Sequence, residues 1–346
     1  MRKLIVMILI AGLLVLPVSA LDYTAPEAPD GALELMPDET RSFGQDLWTV
    51  ITAAMAAVQP AMAQALAVCG AVFLTVMLLS FLKTLPGKSS MVTELVGVLA
   101  VSALLLNQTK SMITLAGQTV TELSEYGKLL LPVMTAAMAS QGGVTSSTAL
   151  YAGTVAFDTV LTAGVSKLMV PMVYIYLILS VAAGATGENM LTKLRDQVKW
   201  LVSWCLKTVM TVFTGYMGVT GVVSGTADVA TVKATKLTMS GMVPVVGGVL
   251  SDASEAVIVG AGVLKNGVGV YGLVALIAIW ITPFIRIGVQ YLLLKLTAAL
   301  CEMFDLKGIN SLVGAFSSAM GLLLAMTGAV CVMLLISVIC FMKGVS

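Results

Sequence analysis

The sequence predicts an all-α polytopic membrane protein, with about six transmembrane helices and two Gly/Pro-interrupted re-entrant or half-helix segments. Three observations lead there. Hydrophobic residues make up 58 % of the chain and charged residues 11 %, less than half of the roughly 25 % that a water-facing surface uses. Mean hydropathy is +1.01. Apolar windows of about 20 residues, the length that crosses a bilayer, recur along the chain.

The N-terminus comes first. Residues 1–20 have the layout of a secretory signal peptide, with Arg2 and Lys3, an apolar core over 4–16, and Val18, Ser19 and Ala20 at a cleavage site. Cleaved or retained as a first helix, it places the next segment outside the cytoplasm. Residues 21–49 are a short acidic extracytoplasmic segment interrupted by Pro26, Pro29 and Pro37. Residues 50–346 form the multi-pass domain.

Its strong apolar windows are 61–82, 92–106, 168–185, 201–223, 270–285 and 312–342. Basic residues fall between successive pairs: Lys83 and Lys88, then Lys193, Arg195 and Lys199, then Arg286, Lys295 and Lys307. With the mature N-terminus outside, all three basic groups are cytoplasmic, as the positive-inside rule requires.

The intervening outer segments, 107–167 and 224–266, are too apolar for ordinary loops. The first holds Pro132, Gly142 and Gly143 and the second Pro244, Gly247 and Gly248, each followed by a small polar cluster and an apolar stretch. Two same-direction repeats, 91–200 and 201–311, would produce this pattern; so would the general abundance of Pro and Gly in membrane segments.

In the second run, Asp252 accepts from the backbone N–H groups opening a helix and Glu255 reaches back, a capping-box spacing. That helix, residues 253–264, is about 18 Å long and crosses only half of a roughly 30 Å hydrocarbon core. The run therefore reads as a re-entrant hairpin, with Pro244, Gly247, Gly248, Asp252, Glu255, Pro132, Gly142 and Gly143 as candidate conduit or half-helix residues. Asp252 and Glu255 are either a solvated cap at the outer surface or intramembrane carboxylates facing a conduit. Lys207, inside the fourth window, snorkels to the cytoplasmic face or is an intramembrane charge. Asp158 caps or pairs within the first interrupted run. Gly221 and Gly225 form a GxxxG pair suited to close helix packing.

Much chemistry is excluded. The chain has no histidine, which removes His-based zinc sites, Ser-His-Asp triads and His proton relays. The cysteines (Cys69, Cys205, Cys301, Cys331 and Cys340) are scattered and pack as small apolar residues rather than binding metal. A net charge of +1 offers no basic stripe for nucleic acid. "PGKSS" (86–90) lacks the first glycine of a phosphate-binding loop. Ser80 and Lys83 have dyad spacing without supporting motifs. The expectation is no enzyme, no cofactor and no metal.

Three segments carry a family resemblance: "KWLVSWCLKTVMTVFTGYMGVTGVVSGTADVATVKATK" (199–236), "VPVVGGVLSDASEAVIVGAGVLKNGVGVYGL" (243–273) and "KLTAALCE" (295–302). The chain resembles the stage III sporulation protein AE family over most of its length after residue 90, most specifically in the PVVGGxLSDA string. The resemblance implies a membrane subunit of the channel, or feeding tube, between mother cell and forespore in endospore-forming bacteria. It implies a place in the mother-cell membrane around the forespore. Its partners would be sister membrane proteins of the same operon and a forespore protein across the gap. The resemblance also implies a need for the protein in forespore development and late forespore gene expression. A self-contained secondary transporter or permease is the alternative reading.

Overall fold

The computed structural model describes residues 26–36, 43–83, 90–140, 144–219, 267–304 and 306–345. Among them there is no strand. A single turn, α1 (Asp30–Leu33), precedes the long helices α2 (Phe43–Lys83) and α3 (Ser90–Ser140). Then come α4 (Val144–Gly164), a π-helical turn (Val165–Met169), α5 (Val170–Thr186) and α6 (Asn189–Val219). The last two are α7 (Gly267–Glu302) and α8 (Lys307–Val345). The signal-peptide residues and the whole second interrupted run lie outside the described residues, as do Gly221 and Gly225.

Local chemistry explains several boundaries. Pro171 has no N–H to donate and its ring crowds the preceding turn. The π turn directly before it lets the rod continue from α4 into α5 despite that missing bond. Gly187, at φ 70°, ends α5 in the left-handed conformation and donates its N–H to the Ala183 carbonyl at 2.9 Å.

Five helical stretches are long and apolar enough to cross a membrane: Phe43–Lys83, Val92–Ala137, Ser147–Thr186, Val268–Glu302 and Lys307–Met342. The expected window at 201–223 falls on α6, which is not among them. This helix is amphipathic, with Lys193, Asp196, Gln197 and Lys207 exposed on the side away from buried Val202, Leu206 and Phe213. Pro132 does not end a helix but sits inside α3, which continues to Ser140. Gly142 and Gly143 are outside the described residues. Arg286 and Lys295, expected in a loop, lie within α7. A charge inside an apolar window reads as its boundary, whereas here the helix continues to Glu302.

α8 is the axis of the bundle. It packs against α3, α4, α5, α6 and α7, and 94 % of its apolar window is buried. For α2 that share is 28 %, so α2 is a peripheral helix with most of its apolar surface uncovered by the rest of the chain. A helix that is apolar and covered on all sides is core.

The end of α2 and the starts of α3, α6 and α8 meet at one end. There Glu94 accepts a hydrogen bond from the Gly308 N–H at 2.8 Å, placing a carboxylate at the positive N-terminus of α8. Arg195 Nη1 donates to Ser311 Oγ at 3.1 Å and Lys199 Nζ to Ser318 Oγ at 3.2 Å. The backbones of α5 and α8 touch here. A Cβ on Gly308 would lie 2.7 Å from the Gly184 carbonyl oxygen, and a backbone atom cannot swing aside. Gly308→Val should destabilise the detergent-solubilised protein by about 1–3 kcal/mol, seen as a lower thermal midpoint. An unchanged midpoint would show that this close approach is dispensable.

Candidate functional site

The exposed face of α3 changes character partway along. From its start it presents Val92, Leu95, Val96, Leu99, Leu104 and Leu106, all exposed. Beyond Leu106 the same helix exposes Asn107, Lys110, Ser111, Thr114, Gln118, Thr121, Glu122, Glu125 and Lys128. These positions recur at helical spacing. The opposite side stays buried throughout, with Leu105, Ile113, Val120, Leu123 and Leu130 each at most 1 % exposed. The switch falls about 25 Å from the start of α3, close to one hydrocarbon thickness.

Facing this stretch, α7 carries a matching polar row. Thr282, Arg286 and Gln290 are spaced by four residues and so share one face. Gln108 Nε2 donates to Gln290 Oε1 at 2.8 Å, locking the two helices together. Beside that bond an open groove of about 410 Å³ is lined by Asn107, Lys110, Ser111, Thr114, Gln118 and Arg286, with Leu115 as its apolar wall. On the other flank of α3 lies a second groove of about 420 Å³, reached by Thr121, Glu122, Ser166 and Tyr174. Thr114 and Gln118 line both. The first groove has two cations and no acid; the second has Glu122.

The α3–α7 seam also concentrates polar atoms without partners. Gln108 Oε1, Thr282 Oγ1 and Arg286 Nε are buried and lack a hydrogen bond among the described residues. A buried unpaired polar group costs about 1–3 kcal/mol, so three on one seam mark it as more than packing.

Of the site residues expected from sequence, Asp158 is the most informative. It is 2 % exposed. Its carboxylate accepts from Ser124 Oγ at 2.6 Å and from Thr162 Oγ1 at 3.5 Å. Nearby, Thr154 donates to Ser337 Oγ at 3.2 Å, so this layer pins α4 to α3 and α8. Lys207 is exposed on α6, one turn beyond Trp204, which stacks on Trp200 at 6.1 Å. Pro132 is exposed on α3, far along the helix from both grooves. Pro244, Gly247, Gly248, Asp252 and Glu255 lie outside the described residues.

Sequence reasoning missed the groove. Its signal was present in the period of the polar positions from Asn107 to Lys128, inside a segment read only as too apolar for a loop.

Residues 42–344 match the family described as Stage III sporulation protein AE. The Stage III sporulation protein AE of Bacillus subtilis (strain 168) is similar at 24 % identity over 201 residues, covering 58 % of this chain and 50 % of that protein. The chain thus aligns with about half the length of that curated relative. No solved structure matches.

Proposed function

The chain belongs to the stage III sporulation protein AE family, and from that premise we propose that it is a membrane subunit of the channel complex joining mother cell and forespore. In this reading it sits in the mother-cell membrane around the forespore and serves forespore development and late forespore gene expression. The family match over residues 42–344 carries the reading. The five apolar helices agree with it, as does the polar outer half of α3.

The proposed orientation puts the basic turns, with Lys83, Lys193, Arg195 and Lys307, in the mother-cell cytoplasm. The end of α3 and the start of α4 then face the gap between the two membranes. Sister membrane proteins and a forespore protein across the gap are the proposed partners. No catalytic role is proposed.

Deletion of the gene in the spore-forming host should leave engulfment complete and stall the forespore afterwards, scored as loss of late forespore reporter expression and of heat-resistant spores. Normal spore yield would refute the channel reading. A self-contained transporter is the second reading, favoured by the two grooves beside α3. Solute uptake into liposomes by the purified chain alone would select it over the first.

A further inference from the structure

We infer that the groove between α3 and α7 is a binding site for a phosphate oxyanion, held by Arg286 and Lys110. Arg286 is embedded in an apolar helix, 16 positions before that helix ends at Glu302. Turned to lipid, an arginine there would cost at least about 3 kcal/mol. It turns instead into the groove, half-buried, and no carboxylate pairs with it among the described residues. Its Nε is buried with no acceptor among them. Lys110 lines the same groove and likewise has no ion pair among the described residues.

Two uncompensated cations attract an anion, and the remaining lining narrows its kind. Asn107, Ser111, Thr114 and Gln118 add amide and hydroxyl donors. That is more than the two oxygens of a carboxylate use and suits the three or four oxygens of a phosphate. A guanidinium meets such an anion through two parallel N–H bonds, which would engage the orphaned Nε.

The groove's level fits as well. It lies where the exposed face of α3 passes from Leu106 to Asn107. Phosphodiester headgroups sit at such a boundary, and a free phosphate would reach the groove from the same side. The site therefore takes one chemistry from either source, and it holds whether or not the chain lines a channel.

The test uses the full chain in dodecyl maltoside, a detergent that carries no phosphate, titrated with dioctanoyl-phosphatidylglycerol and, separately, with inorganic phosphate. Saturable binding of at least one probe is expected. Arg286→Gln and Lys110→Gln should each weaken it at least about tenfold, and Lys207→Gln should leave it unchanged. Lys110 is exposed, so its variant tests the site without disturbing the core. Binding of the lipid that phosphate does not displace assigns a headgroup; displacement assigns a free oxyanion. Absence of saturable binding by either probe, or equal affinity in wild type and Lys110→Gln, would overturn the site.

Discussion

Phe213→Ala should destabilise the protein by about 3–5 kcal/mol, far more than any substitution on the exposed side of α6. Phe213 is 0 % exposed. Its ring meets Phe157 of α4 edge-on, with centroids 5.5 Å apart. Phe157 also touches Tyr216 at 5.7 Å, and Tyr216 donates its hydroxyl to the Ala149 carbonyl at 2.8 Å. The Tyr216 ring lies across Gly153, where a side chain would collide with it. These contacts clamp the outer half of α6 to α4. Trp200, 58 % exposed on the other side of α6, supplies the control: Trp200→Ala removes a larger side chain at little cost in packing. Thermal midpoints in detergent and protease cleavage within α6 read the difference. Equal effects of the two variants would mean that α6 is not held through its buried face.

This clamp also explains how an amphipathic helix keeps its place among apolar ones. Its buried stripe of Val202, Leu206, Phe213 and Met217 is fixed against protein. The exposed Asp196, Gln197 and Lys207 would be costly against lipid alone.

How much of this was legible in the sequence depends on what hydropathy measures. A window locates apolar length, so α5 was expected at 168–185 and runs Val170–Thr186. The inner limits of α2 and α3 were placed by the same means. Length beyond the lipid was not legible: 92–106 marks only the first part of α3, which has 51 residues. A window also cannot tell protein neighbours from lipid. The stretch 312–342 looked like any other span, yet α8 is enclosed by five helices. Arg286 was read as a loop because a charge ends a window, although a groove-facing arginine can sit mid-helix. Asp158 was expected to cap or to pair; a carboxylate among apolar neighbours must find donors, and Ser124 and Thr162 supply them.

The sharpest expected contrast lies along α3 itself. In a chain with Cys205 replaced by Ser, a cysteine at Gln118 or Thr121 should react with a membrane-impermeant maleimide at least about tenfold faster than one at Leu99 or Leu104. The reagent needs thiolate, and a thiol in hydrocarbon does not ionise. Geometry alone would not separate these positions. Leu99 is 50 % exposed, Leu104 39 % and Leu106 47 %, while Gln118 and Thr121 are exposed as well. Only the surrounding medium differs, so the rate should step up between Leu106 and Asn107. The remaining native cysteines, Cys69, Cys301, Cys331 and Cys340, are buried and add little background. A step at that place would fix the outer limit of the lipid about 25 Å above the basic turns and open both grooves to water. Equal rates at Leu99 and Gln118 would mean that one medium bathes the whole face. The change of side chains at Asn107 would then mark a contact with another protein rather than the edge of the bilayer.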